Sequence, residues 1–232
     1  MSPGVSRRAA LAIAAGAAFD ARGARTEIAR AVPLSTPDGA VIRNFAIAPA
    51  LAPRDLPGLI LAGAAKNAPV LYEFFDYACP YCRLASQELD LLLGPDSGMT
   101  LGLAQHPVLG ERSVETALVA LAARSLFGDA EAFRLHNRLF ATPGPVGADW
   151  ALRIAETLGF DRARLKAQAA RPETRATLDA QVHRALALGL RQTPSFVLGG
   201  YAFIGWPGPE TVQNFVEALA RCGRLSCAES AK

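Results

Sequence analysis

The sequence is poor in histidine, in surplus charge and in long apolar runs, and each shortage removes a class of function. His106, His136 and His183 are the only histidines in 232 residues, and they are scattered without metal-ligand spacing. Each is expected to be a surface or packing residue, not part of a metal centre. The formal net charge is +3, but five arginines and two acids fall within residues 1–31. The remainder carries 19 basic and 19 acidic residues, so its charges cancel. A balanced body gives no electrostatic reason to expect nucleic acid or an anionic membrane as partner. No stretch approaches the ~20 apolar residues a spanning helix needs, which predicts a soluble mature protein. No internal repeat is present. What the chain does have is apolar content: a hydrophobic fraction of 51% is ample for a packed core and argues against a disordered protein.

The first residues read as a targeting segment. Arg7-Arg8 precede an apolar run from Ala9 to Phe19, too short to cross a bilayer. Ser6-Arg7-Arg8, with Leu11 beyond, matches part of the twin-arginine export signal. Small residues place cleavage after Ala17 or after Ala31. The plainer reading is an Ala-rich first helix of a cytosolic protein.

Residues 32–68 are rich in Pro, Gly and Ala, with one alternating stretch, Val41–Ile47, that suits an edge strand. Val70–Phe75 is a nearly continuous β-prone run, the pattern of a strand covered on both faces. Tyr81 to Leu93 reads as a helix ended by Gly94-Pro95, and Met99 to Gln105 as a second strand. A strand, helix and strand packed so closely predict a right-handed crossover and a parallel pair. From Ser113 to Gly189 the pattern is helical throughout. Trp150, Ile154 and Leu158 recur behind Asp149, a candidate N-cap. Leu178, Val182, Leu186 and Leu190 recur behind Pro172, which suits a first helical turn, and Phe133, His136 and Phe140 mark a short helix. Ser195–Leu198 and Tyr201–Ile204 read as a hairpin turned by Gly199-Gly200, before a last helix from Pro209 to Arg221. The expected organisation is therefore a leader at 1–31 and an N-terminal extension at 32–68. An α/β sheet domain follows at 69–112 and 190–223, an inserted helical domain at 113–189, and a tail at 224–232.

Cys79-Pro80-Tyr81-Cys82 stands where a strand gives way to a helix. The first helical turn leaves N–H groups unpaired, and the helix dipole adds partial positive charge there. A thiolate on Cys79 is thereby stabilised, so its pKa is expected to fall below the ~8.5 of a free thiol. Cys79 would be the attacked or attacking sulfur, and Cys82, one turn further in, would resolve the mixed disulfide. Pro80 preorganises the turn without needing an N–H partner. Glu73 lies six residues before Cys79, an acid in an apolar run that is costly to bury without a purpose. It is positioned to exchange a proton with Cys82; the bland alternative is a partly solvated strand residue. Thr193-Pro194 precedes the returning strand, where a cis bond would expose the Thr193 backbone to an extended substrate.

Two motifs, Glu73-Phe74-Phe75-Asp76-Tyr77-Ala78-Cys79-Pro80-Tyr81-Cys82 and Gln192-Thr193-Pro194-Ser195-Phe196-Val197-Leu198-Gly199-Gly200, together resemble the DsbA-like branch of the thioredoxin superfamily. The resemblance covers roughly Pro69 to Ala220. It implies a thioredoxin fold with an inserted helical domain, in a periplasmic or envelope enzyme acting on cysteines of exported proteins. A membrane redox partner would recycle the pair, with no small-molecule cofactor, metal or nucleic acid. By motif position it makes Cys79 the nucleophile, Cys82 the resolving cysteine, Glu73 the buried acid and Pro194 the cis-proline. Pro80, Tyr81 and Thr193 would lie against the substrate. One departure matters: the best-known DsbA oxidases carry His where this chain has Tyr81. Pro-Tyr also occurs in some glutaredoxins and in DsbG-like isomerases. The potentials of thioredoxin and DsbA differ by roughly 150 mV, about 7 kcal/mol for two electrons, so direction is open. The short 32–68 stretch, too small for the dimerisation module of the DsbC/DsbG isomerases, favours a dithiol oxidase over an isomerase or reductase.

Cys222 and Cys227 allow three readings. A small structural disulfide after the last helix is favoured, since Gly223 suits a helix C-terminus and an even cysteine count fits an oxidising compartment. A second redox pair relaying electrons to Cys79 is another. The third joins them to Cys79 and Cys82 as a four-thiolate zinc site in an interaction domain.

Overall fold

The computed structural model describes residues 31–63, 68–94 and 97–227. All but Ala31 of the expected leader lies outside the described residues, as do residues 228–232 of the expected tail. In chain order the strands are β1 (Asn44–Ala46), β2 (Ile60–Ala62), β3 (Val70–Phe75), β4 (Thr100–Gln105), β5 (Ser195–Leu198) and β6 (Tyr201–Ile204). The helices are α1 (Pro80–Leu92), α2 (Glu111–Ala141), α3 (Ala148–Thr157), α4 (Arg162–Ala169), α5 (Pro172–Ala187) and α6 (Pro209–Cys222).

The six strands form one sheet in the order β1-β6-β5-β3-β4-β2. Only β3 and β4, joined through α1, run parallel; the remaining pairs are antiparallel. The β-prone run at 70–75 becomes the strand flanked by β4 and β5, and Leu71, Phe74 and Phe75 are fully buried. Leu71, Glu73 and Phe75 share one face by strand alternation, with Leu101, Leu103 and Gln105 beside them on β4. That face packs on α1 and α2 in the largest core cluster, which holds Cys82, Leu89, Leu135 and Phe140. β1 takes one sheet edge, within the stretch read as an edge strand. β2 takes the other, and nothing in the sequence marked it: three residues pair with Leu101–Leu103 of β4.

The helical run differs from its sequence reading in three places. The short helix at Phe133–Phe140 is the second half of α2, which breaks at Gly128 (φ 83°, ψ −175°), a conformation open essentially to glycine alone. Asp149 is not an N-cap; α3 starts at Ala148 behind Gly147, because Glu115 and Thr116 of α2 already accept from the Ala148 and Gly147 N–H groups. On α5, Pro172 does open the helix, but its buried side is Leu178, Gln181 and Ala185, and Leu186 is exposed. Gln181 turns inward because it receives the Gln105 N–H (2.6 Å) and donates to the Pro57 carbonyl (2.7 Å). Asp161 caps α4, its carboxylate accepting from the Arg164 N–H.

Candidate active site

The site is built where β3 runs out. Asp76 follows the strand and is buried, one carboxylate oxygen accepting from the Ala78 N–H (2.8 Å). Its other oxygen accepts from the N–H groups of Val108 (2.8 Å) and Leu109 (2.9 Å), fixing the chain that leaves β4. The Cys79 N–H donates to the Asp76 carbonyl (3.0 Å), and α1 then opens with Cys79 as N-cap and Pro80 in its first turn. The sequence reading missed Asp76 as an organiser. Its signal was local: an acid two residues before a loop amide is a standard side-chain turn.

Cys79 and Cys82 are both free thiols. Cys82 is 0% exposed and Cys79 is 4%, so a partner can reach only Cys79. The Cys79 sulfur accepts from the Cys82 N–H (3.4 Å) and lies 3.3 Å from the Thr193 carbonyl oxygen. Its thiol is brought down to about 6. The first cause is the hydrogen bond from the Cys82 thiol; Thr193 and the N–H groups of Cys82 and Tyr81 add to it, and burial opposes it. Burial, the same thiol–thiol hydrogen bond and the Glu73 charge push Cys82 the other way, far above an ordinary thiol. The two sulfurs are thus strongly unequal: one ionises readily, the other holds its proton.

Glu73 is completely buried on β3, and neither carboxylate oxygen has a hydrogen-bond partner. Burial first, and the Cys79 charge second, raise it to about 8. Tyr77, in the turn before Cys79, is buried edge-on against Phe75 (5.0 Å) and beside Phe140 (5.0 Å). Its hydroxyl meets Nδ1 of His136 (3.3 Å), whose Nε2 meets Ser86 Oγ (3.2 Å) on α1. His136 is therefore a packing residue with two polar partners, held neutral by burial with its pKa down at about 3. His106 is buried as well, its Nε2 against the Leu190 carbonyl (3.1 Å).

Thr193-Pro194 closes the other side with a cis peptide bond. Ser195, immediately after it, donates to the Gln192 carbonyl (2.6 Å). Tyr81 is 67% exposed beside the buried Cys79, and Pro80 is exposed too. Trp206 packs on Phe196 (5.5 Å) and its indole N–H donates to Glu88 on α1, which ties the hairpin end to the cysteine helix. Cys79, Cys82, Glu73, Thr193 and Pro194 are thus brought to one place from three stretches of chain. Cys222 and Cys227 are bonded to each other at the end of α6. That bond removes both as zinc ligands, so the four-thiolate site does not form. Among the described residues no cluster of His, Cys, Asp or Glu is arranged to hold a metal ion.

A mixed sheet with a dithiol at the start of the helix after its parallel strand, and a helical run between β4 and β5, defines a thiol–disulfide oxidoreductase of DsbA-like fold. The chain belongs to the thioredoxin family, whose model matches residues 56–218. A thioredoxin-like oxidoreductase from Silicibacter pomeroyi DSS-3 is similar at 31% identity and TM-score 0.67, covering 75% of this chain and 98% of that one. The thiol-disulfide exchange protein alpha-DsbA2 from Wolbachia pipientis superposes with TM-score 0.65 at 20% identity, over 70% of this chain and 88% of its own. A periplasmic thioredoxin-like protein from Salmonella enterica serovar Typhimurium does so with TM-score 0.59 at 20% identity, over 74% and 96%. No curated protein matches the chain by sequence. No helix among the described residues is long and apolar enough to cross a membrane.

Proposed function

We propose that this protein is an exported dithiol oxidase that passes the Cys79–Cys82 disulfide to cysteines of envelope proteins. The observation that carries it is the inequality of the two sulfurs: Cys79 brought down to about 6, Cys82 buried and pushed up. A client thiolate attacks Cys79 Sγ, the Cys79–Cys82 bond breaks, and Cys82 leaves with the electron pair. Glu73, buried and close enough for its charge to act on Cys82, supplies the proton that Cys82 takes up. A second client thiolate then attacks the client sulfur of the mixed disulfide and releases Cys79 as its stable thiolate. The client loses two electrons and the pair gains them; a membrane redox partner returns the pair to the disulfide. Thr193, whose carbonyl lies at the Cys79 sulfur, offers backbone against which an extended client pairs, with Pro80, Tyr81 and Pro194 around it.

The acidity of Cys79 favours the oxidising direction, because a stabilised thiolate stabilises the reduced form. At pH 7, lowering a thiol from ~8.5 to about 6 stabilises the reduced form by about 1.4 kcal/mol, or roughly 30 mV. The stretch at 32–68 supports the same direction, since it contributes β1 and β2 to the sheet and leaves little for a separate dimerisation module. Export rests on the twin-arginine-like start of the sequence and on the periplasmic relative. Equilibrating the pair against glutathione tests the reading: a potential well above that of thioredoxin supports an oxidase, and one near thioredoxin's roughly −270 mV sinks it.

A further inference from the structure

The segment 106–109, which follows β4, ties down both walls of the site. The Val108 and Leu109 N–H groups hold the Asp76 carboxylate, and through it the turn that carries Cys79. His106, two residues before Val108, reaches the opposite wall. Its backbone N–H donates to the Phe75 carbonyl (2.7 Å), which continues the β3–β4 ladder by one residue. Its ring Nε2 lies 3.1 Å from the carbonyl oxygen of Leu190, which precedes Thr193 by three residues.

The direction of that bond is fixed by chemistry. A carbonyl oxygen only accepts, so Nε2 carries the ring proton and donates it. Nδ1 is buried without a partner, so nothing competes for that proton. Burial lowers the pKa of the ring, against the Leu190 carbonyl and the Asp76 charge, and keeps the imidazole neutral. Both partners are enclosed, His106 at 1% exposure and Leu190 at 0%. An acceptor in so dry a place is costly to leave unpaired, so the bond decides where Leu190 sits. The Leu190 N–H donates back to the Ala185 carbonyl of α5 (2.9 Å), so both backbone groups of this residue are engaged. Arg191 and Gln192 beyond it are exposed, and Thr193 then brings its carbonyl to the Cys79 sulfur (3.3 Å). The placing of Thr193 inherits the placing of Leu190.

We propose that His106 is a positioning residue for the exchange reaction: by holding the Leu190 carbonyl it keeps the Thr193 backbone where an extended client pairs beside Cys79. The proposal rests on the reading of Thr193 as the backbone partner of the client. The segment after β4 then sets the width of the site, with Asp76 fixing one side and His106 the other.

The test compares two reductants of the oxidised full chain in single turnovers. One is a peptide carrying two cysteines; the other is dithiothreitol, which has two thiols and no peptide backbone. Each gives two electrons to the Cys79–Cys82 disulfide and becomes a disulfide itself. His106→Phe keeps a ring and removes the donor. In it the peptide rate should fall about tenfold relative to the dithiothreitol rate, roughly the worth of one hydrogen bond. The loss should lie in the half-saturating peptide concentration; a loss in the limiting rate alone overturns the proposal. His106→Gln, whose amide N–H can stand in for Nε2–H, should recover most of it. A ratio that stays put in His106→Phe, or a loss that His106→Gln fails to reduce, overturns the proposal. Should His106→Phe not fold, His106→Leu is read in the same way. Nitrogen NMR of the unaltered protein is an independent check: a proton on Nε2 is expected, and a proton on Nδ1 with Nε2 bare overturns the proposal. A peptide that cannot reduce even the unaltered protein sinks the client reading together with this proposal. An unmoved ratio sinks this proposal alone.

Discussion

Removing the Cys82 thiol should make Cys79 a weaker acid, although Cys82 never meets solvent. The largest single cause of the low Cys79 value is the hydrogen bond from the Cys82 thiol, ahead of the N–H groups at the start of α1. A hydrogen bond to a charged group contributes about 1.5–3 kcal/mol, which is about one to two pH units. In Cys82→Ala the Cys79 value should therefore rise from about 6 to roughly 7–8. At pH 7 the thiolate fraction then falls from about nine-tenths to between about a half and a tenth. Iodoacetamide trapping of Cys79 across pH 4–10 reads this directly, from the inflection of the rate in the reduced protein. Cys82→Ser, which keeps a hydroxyl donor in the same place, should recover most of the acidity. An inflection that stays near 6 in Cys82→Ala would refute the reasoning and leave Thr193 and the helix start as the sources.

Further outcomes follow from other parts of the fold. Because Glu73 is raised to about 8 from 4.5, the unfolded chain loses that proton first, and stability should fall as pH rises from 4.5 through 8. Urea midpoints of the disulfide form, in which the thiols do not titrate and burial alone raises Glu73, should show a decline that starts near 4.5 and ends below 8, and Glu73→Gln should abolish it. Gly128→Ala forces a side chain into a backbone conformation that only glycine adopts freely, and should cost about 1–3 kcal/mol in denaturant unfolding. Replacing Cys222 and Cys227 by serine should lower stability by about 2 kcal/mol through the short loop they close, with exchange at Cys79 retained. Loss of exchange in that variant would assign the second pair a redox role.

What the sequence disclosed was whatever depends on near neighbours. The β3 run, the Cys-Pro helix start and the Gly199-Gly200 turn each carry their chemistry within a few residues, and all three appear in the structure. What it hid depends on distant partners. Ile60–Ala62 is a strand only because Leu101–Leu103 lies beside it. Asp76 organises the site through amides 32 and 33 residues away, and His136 meets Tyr77 across 59. The inward turn of Gln181 shifts the buried side of α5 for the same reason: its partners, Pro57 and Gln105, lie on other elements. Glu73 was legible because an acid inside an apolar strand is conspicuous by itself, but its lack of a donor was not.

The contact between the Cys79 sulfur and the Thr193 carbonyl spans 114 residues, and α1, β4 and α2 through α5 lie in the interval. Synthesis therefore delivers the reactive thiol long before the strand that faces it. A chain halted in mid-translation would expose a sulfur lacking its opposite wall, able to be oxidised or captured at random. Competence arrives only when the late hairpin docks, so selective exchange begins after β5 and β6 are made.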